Sequence, residues 1–410
     1  MNVRRQLFRI SRAGRDRATT RTTPLCIAVL AWLLAVLCGA FERPAASLPE
    51  ARVTLTVLNG GDRERAQPES KRDKAVVDSE EELAAGASFR VVLEARARGP
   101  FPGPGQRLRV TLPYYHGYAP ASIPQGDRPG SAGYTRITTG PAGASIRFID
   151  PHLAPVVDVT APAEFDVVFD RPMGAGESLR VVYGDGPEGA AIASELAVSR
   201  QAPGYKPFLC RLVDSGGEAG AVLARATPSV RAGPARSLRV IAPTVVRPGQ
   251  PFRVRVVVLD RFGNRAESFR GVAAISGPGL QGRVPLGEAE RGAGLASLLA
   301  PPEETILRLG ARAGREPTVE GTSNPVLVRR GGDRVFFGDL HVHTGEASWD
   351  AYGSLDDVFT YARDTMGLDF VAGTDHDGDI SADGFARLCA LARHHESPGQ
   401  FAAFTGFEWT

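Results

Sequence analysis

The 410-residue chain predicts a multidomain protein, all-β sandwich domains through most of its length and then a short β-α-β-α-β stretch. Three observations predict this. First, 47 Gly and 31 Pro make up about a fifth of the chain, which suits many short strands joined by turns. Second, apolar and polar residues alternate with period two in run after run between residues 49 and 330. Third, the pattern changes past residue 331, where 14 Asp/Glu meet four Arg and no Lys, and where five of the seven His lie. At 43% hydrophobic and 23% charged residues the composition is that of a globular chain. At roughly 100–200 residues per domain the length allows two to four domains.

The chain starts with an address. Residues 1–23 hold seven Arg and one Asp, and residues 24–41 form an apolar run closed by Cys38-Gly39-Ala40. This is the pattern of an export signal over residues 1–40, cut after Ala40, and it places the protein outside the cytoplasm: periplasmic, secreted or membrane-anchored. The alternative is an uncleaved membrane anchor through residues 24–41, a run slightly short of the ~20 apolar residues of a spanning helix. The signal accounts for +6 of charge, so the rest of the chain carries −4 against a total of +2. That balance gives no compositional argument for a nucleic-acid partner. Cys26 and Cys38 belong to the signal. Cys210 and Cys389 fall in different predicted domains, so no disulfide framework is expected and each is read as a small buried apolar residue.

Residues 49–235 form the first β-rich sandwich domain. Its runs are Val53-Thr54-Leu55-Thr56-Val57, Phe89-Arg90-Val91-Val92-Leu93, Leu108-Arg109-Val110-Thr111-Leu112, Phe165-Asp166-Val167-Val168-Phe169 and Leu179-Arg180-Val181-Val182-Tyr183. The charged stretch 62–82 reads as a solvated loop. A second unit, residues 236–330, is marked by Val246-Arg247-Pro248-Gly249-Gln250-Pro251-Phe252, an alternating run over 253–258, and the turn Leu259-Asp260-Arg261-Phe262-Gly263-Asn264. This signature resembles bacterial immunoglobulin-like modules, which implies an immunoglobulin-like β-sandwich domain. Neither unit shows a titratable cluster in its sequence. His116 and His152 are isolated and read as ordinary surface or core side chains. The two units are spacers or substrate-presenting platforms.

Residues 331–410 alternate strand and helix. Val335 to Leu340 reads as a strand. Ser354 is an N-cap with Asp357 three residues on, and Leu355, Val358, Phe359, Ala362 and Met366 then recur at helical spacing up to Gly367. A second strand is expected over 368–373, a second helix over 384–395 and a third strand over 401–404. Such an order implies parallel strands. His341 and His343, two apart at the end of the first strand, share a face. Asp375 and His376 follow the second strand, and Glu408 follows the third. Imidazole and carboxylate delivered to one strand edge are ligands for Zn, Mn or Fe. A bridging Glu suits two metals about 4 Å apart, a pairing able to activate water for phosphoester hydrolysis.

Gly338-Asp339-Leu340-His341-Val342-His343-Thr344, Thr374-Asp375-His376-Asp377 and Gly406-Phe407-Glu408 resemble the first three motifs of the PHP (polymerase and histidinol phosphatase) metal-dependent hydrolases. The longer strings at residues 337–343 and 406–410 resemble an uncharacterised branch of that superfamily whose barrel follows a β-rich region. The resemblance spans about 75 of the 410 residues. It implies that residues 331–410 are the N-terminal part of a PHP-type α/β barrel, with two or more divalent metals in the full-length protein. His341 and His343 would hold the first metal, His376 another, with Glu408 bridging and Asp350 a further ligand. It also implies a small-molecule or phosphoester substrate. Asp339 and Asp375 are expected behind the ligands, orienting imidazoles. His394 and His395 close a helix and read as dipole partners. Trp349 and Trp409 line a pocket or pack. The family's (β/α)₇-type barrel supplies further ligands later in the chain than Thr410, so the sequence as it stands is expected to be an incomplete, inactive fragment of an exported metal-dependent phosphoesterase. The competing reading is a non-catalytic exported immunoglobulin-like binding or surface protein with a degenerate or structural metal site.

Overall fold

Where apolar residues alternate, the chain forms strands with one buried face. The structure, a computed structural model, describes residues 51–59, 82–113, 124–149, 163–186, 191–193, 197–314, 318–348 and 351–409. The export segment, most of the charged loop, His116, His152, Trp349 and Asp350 lie outside the described residues. Among the described residues no helix is long and apolar enough to cross a membrane.

The first β-rich region is two five-stranded sheets closed on one core. In one, Ala51–Asn59, Ser88–Ala97, Ser178–Tyr183 and Thr135–Thr139 lie side by side, with Ala191–Ile192 also paired to Ser88–Ala97. The other orders Ala219–Ala226, Phe208–Val213, Arg107–Leu112, Ala163–Phe169 and Ala144–Ile149. Leu55, Leu93 and Leu179 from the first sheet share a buried cluster with Leu108, Phe165 and Phe208 from the second. Each such side chain contributes about 1.5–3 kcal/mol on burial. Glu82, expected to end the charged loop, instead begins the short strand Glu82–Ala84, which runs parallel to Ser229–Arg231.

This region corrects one sequence expectation. A titratable cluster does exist: Asp166 is fully buried, and its carboxylate takes Arg107 Nε at 2.6 Å, Arg109 Nε at 2.8 Å and Arg147 Nη2 at 2.7 Å. The residues come from three neighbouring strands, in the register Arg109↔Asp166↔Arg147. Burial pushes the Asp166 carboxyl up, but the hydrogen bonds and charges of Arg109, Arg147 and Arg107 outweigh it and hold the group below the usual carboxylate range. Cys210 is a buried apolar residue as expected, and burial raises its thiol to about 12. Cys389 is half-buried, and both thiols are free.

The second β region has three small sheets around one core, built on Ser237–Ile241, Pro251–Leu259 and Ala293–Leu299 as its central antiparallel set. Its Asp260–Asn264 turn does more than reverse the chain. Asp260 is buried; Oδ1 accepts from Phe262 N and Asn264 N, and Oδ2 accepts from Asn264 Nδ2 and, across the joint, Gly233 N at 2.9 Å. Asn264 Oδ1 accepts from Ala197 N at 2.9 Å. The turn therefore fastens the second β region to the first.

The last segment is a three-stranded parallel sheet, Gly338–Val342, Phe370–Gly373 and Ala402–Thr405 in that order. The first strand starts three residues later than expected. Val335, Phe336 and Phe337 are exposed, because the neighbouring strand begins only at Phe370, and Phe337 instead exchanges bonds with Asp369. Ser354 caps Leu355–Thr360 with the reciprocal Asp357 bond. The expected single helix then widens into a π-helical turn, Tyr361–Met366, closed by Gly367 at φ +65°. A side chain at Gly367 would also meet Ile241 Cδ1 at 2.5 Å, so the position needs glycine twice over. The second helix is Ala382–His395, starting two residues early because Ser381 caps it through Gly384 N. Both helices cover one face of the sheet, around Leu355, Phe359, Val371, Leu388 and Phe401. Leu340, Phe404, Phe407 and Trp409 stay exposed. Arg255 ties this segment to the second β region, its Nη1 3.4 Å from Asp364 Oδ1.

Candidate metal centre

Parallel pairing sets the three strand ends level. Val342 pairs with Gly373, and Gly373 with Thr405. The pairing continues past the strands: Gly406 N donates to Gly373 O, Glu408 N to Asp375 O, and Asp377 N to Glu408 O. His376 and Glu408 are thereby held opposite each other in a parallel bridge. On the other side Thr374 clasps Val342, taking its N–H on Oγ1 at 3.0 Å and giving its own N–H to Val342 O at 2.8 Å. These backbone contacts bring the residues after each strand to one edge of the sheet.

The side chains converge there. His341 Nε2 and His343 Nε2 lie 3.1 Å apart, and Glu408 Oε2 lies 3.2 Å from the first and 2.8 Å from the second. His376 reaches the same oxygen through Nδ1 at 3.3 Å. His341, His343 and Glu408 make the tightest group of potential ligands, with His376 beside it. Donor atoms about 2.0–2.1 Å from a tetrahedral zinc stand about 3.3–3.4 Å from one another. The spacing here is slightly tighter, and the donor set of imidazole and carboxylate fits Zn, Mn or Fe. One carboxylate oxygen, Oε2, faces all three imidazoles. Desolvation pushes the Glu408 carboxyl up, but the hydrogen bond with His341 and the charges of His341, His376 and His343 hold it below the usual range.

The two residues expected to orient imidazoles do other work. Asp339 Oδ1 accepts the backbone N–H of His341 at 3.0 Å, fixing main chain and not the ring. Asp375 is fully buried and accepts from Thr344 N at 2.6 Å, Thr344 Oγ1 at 2.9 Å and Ser348 Oγ at 2.9 Å. It pins the loop that leaves His343. Thr344 and Ser348 are both buried, and the sequence reading missed them: short hydroxyl side chains in a loop carry no periodic signal. Of the remaining predicted residues, Asp350 lies outside the described residues. Trp409 is 83% exposed, so it does not pack into a core. His395 closes its helix, as expected. It is buried, with Nε2 2.7 Å from Asp356 Oδ1 and Nδ1 3.3 Å from Arg363 Nη1, so it joins the two helices.

No family model matches the chain, and no curated protein sequence matches it. Among solved structures it is similar to a biofilm-associated protein BSP domain, at 8% identity and a TM-score of 0.20, over 73% of this chain and 54% of that one. A glycosyl hydrolase family 2 member from Bacteroides cellulosilyticus matches at 10% identity and a TM-score of 0.21, over 68% of this chain and 29% of that one. Human CDH23 EC21-23 matches at 14% identity and a TM-score of 0.20, over 36% and 49%. The chain thus spans about half or less of each of these structures, and at such TM-scores the likenesses carry no argument.

Proposed function

We propose that this is an exported metal-dependent hydrolase acting on phosphoesters. In this reading residues 331–410 are the start of a PHP-type α/β barrel, and the β regions, immunoglobulin-like at 236–330, precede it. The observation that supports it is the convergence of His341, His343, His376 and Glu408 at the aligned ends of three parallel strands. His341, His343 and Glu408 would hold one cation, and His376, sharing Glu408, would face a second. Asp350 remains a candidate ligand from sequence alone. A divalent ion there supplies Lewis acidity and lowers the pKa of water. The chain's own contribution is to fix the donor atoms. The Asp339 contact sets the His341 backbone, the Asp375 contacts set the loop after His343, and the Thr374 clasp sets the edge between them. The phosphoester preference rests on the family resemblance of the three motifs.

A second reading is favoured by the site's exposure. His341 has a side chain 61% exposed, beside a sheet face where Leu340, Phe404 and Trp409 also meet solvent. This suits a non-catalytic surface protein with a structural metal site. Titrating metal-stripped protein with Zn or Mn, alongside hydrolysis of a generic phosphomonoester, separates the two. The enzyme reading expects saturable uptake by this chain and turnover once the barrel is extended to full length, with His343→Ala losing about 100-fold or more in metal affinity. Uptake without turnover transfers support to the second reading. Equal uptake by wild type and His343→Ala removes the centre altogether.

A further inference from the structure

We infer that the first β-sandwich is a working part of the metal centre, through a loop at residues 202–205 that clamps the loop carrying the site. This rests on the metal-binding reading above and goes beyond it by giving the sandwich a positioning role in place of that of a spacer or platform. The contact is between backbones. Gly353 N donates to Pro203 O at 2.9 Å, and Gly353 O in turn accepts from Gly345 N at 3.0 Å. Two glycines allow the approach. A Cβ on Gly204 would lie 2.5 Å from Ala351 O, 3.0 Å from Gly345 Cα and 3.2 Å from Tyr352 Cα. A Cβ on Gly345 would run into Pro203 O and lie 2.7 Å from Tyr352 Cα. Such distances leave no room for a side chain on either glycine.

The sandwich end of the clamp is anchored. Tyr205 donates its hydroxyl to Pro228 O at 2.8 Å, and Arg200 N donates to Ser229 Oγ at 3.1 Å. Ahead of the loop, Val198 and Val230 exchange both backbone bonds. The other end leads to the candidate ligands through an unbroken series of bonds. Gly345 follows Thr344, whose N–H and hydroxyl both go to Asp375. Ser348 N donates to Thr344 O at 2.8 Å, and Ser348 Oγ donates to Asp375. His343 precedes Thr344, and His376 follows Asp375. Displacing the loop at Gly345 therefore moves the backbone on which both imidazoles are mounted. Tyr352, at the contact itself, is buried enough that its phenol is pushed up to about 12. Pro203, Gly204 and Gly345 are positioning residues, since none of them touches a donor atom of the site.

The test is Gly204→Ala set against Gly130→Ala. Gly204 and Gly130 have φ of +76° and +81°, so both variants strain the backbone alike, but a Cβ on Gly130 meets nothing within 4 Å. Two readings are taken: zinc affinity, and amide hydrogen exchange of residues 344–348 and 351–353 in the metal-free protein. Gly204→Ala is expected to lose about tenfold in zinc affinity and to exchange faster in both segments, while Gly130→Ala does neither. Gly204→Ala should melt below Gly130→Ala, because only its Cβ runs into backbone. If Gly204→Ala keeps wild-type zinc affinity and exchange, the clamp is overturned and the metal centre stands. If wild type binds no zinc, the metal-binding reading fails, and exchange alone decides the clamp: faster exchange in Gly204→Ala upholds it and unchanged exchange overturns it. Should Gly204→Ala not fold, Tyr205→Phe, which frees the loop from Pro228 without adding atoms, is judged the same way, with an expected loss of about threefold.

Discussion

Asp166 in the first sandwich and Glu408 at the strand ends are both carboxylates met by three nitrogen side chains, yet they solve opposite problems. Asp166 is fully buried, its three arginines approach within 2.6–2.8 Å, and both of its oxygens are used. A guanidinium never gives up its proton and offers no lone pair, so this cluster of three cations on one carboxylate has no place for a further cation. Glu408 is partly exposed, its imidazoles stand 2.8–3.3 Å away, and all three face one oxygen. A neutral imidazole has a lone pair to donate, so the same outline becomes a set of candidate ligands. What separates a structural cluster from a candidate site here is the chemistry of the partner, since each carboxylate has three nitrogen partners.

The largest expected effect breaks the buried ring. Asp166→Asn takes the buried carboxylate from Arg107 and Arg109, leaving Arg109 only the Glu164 carboxylate 3.6 Å from its Nη1, and is expected to destabilise the first sandwich by about 3 kcal/mol in denaturant unfolding, with zinc affinity unchanged. The sign with pH follows from the depressed carboxyl. Its stabilising contribution is full above the ordinary Asp value of 3.8 and is lost as pH falls through the lower folded value. The variant should therefore lack part of the acid-induced loss of stability seen in wild type below about pH 4. Asp375→Asn probes the intermediate case, a buried carboxylate that serves the site. Turning an amide donor toward Thr344 and Ser348 should cost about 2 kcal/mol and, unlike Asp166→Asn, lower zinc affinity about 10–100-fold. A variant that loses stability alone would place Asp375 with Asp166 and detach it from the centre.

Much of this contrast was legible in the sequence, and the reason lies in which signals are local. Ser88–Ala97 and Arg107–Leu112 announce themselves because each buries alternate residues. Thr135–Thr139 and Ala144–Ile149 do not, since they bury little and their alternation is faint. His341 and His343 are legible through their spacing at a strand end, and His376 and Glu408 through theirs after the next two strands. What stays hidden depends on register. Arg107, Arg109, Arg147 and Asp166 are unremarkable until three strands align them. Asp339 and Asp375 sit where partners of imidazoles are expected, and only the folded loop shows that they hold backbone and hydroxyls. The contact of Pro203 with the site loop has no sequence signature beyond two glycines.

The smallest effect sharpens the comparison by removing burial. Arg312 and Glu320 face each other across the pair Gly310–Ala313 and Val319–Thr322, and their side chains are 70% and 55% exposed. This is the same guanidinium–carboxylate chemistry as at Asp166, now placed in water, where screening and side-chain entropy offset most of the attraction. Glu320→Gln should cost no more than about 0.5 kcal/mol, and less at high salt. If it cost as much as Asp166→Asn, burial would not be what makes Asp166 structural. The partly exposed Glu408 could then no longer be regarded as free to exchange its protein partners for a cation. A small, salt-sensitive loss instead leaves the division as drawn, in which burial makes a carboxylate's arginine partners indispensable, while exposure and imidazole leave Glu408 available.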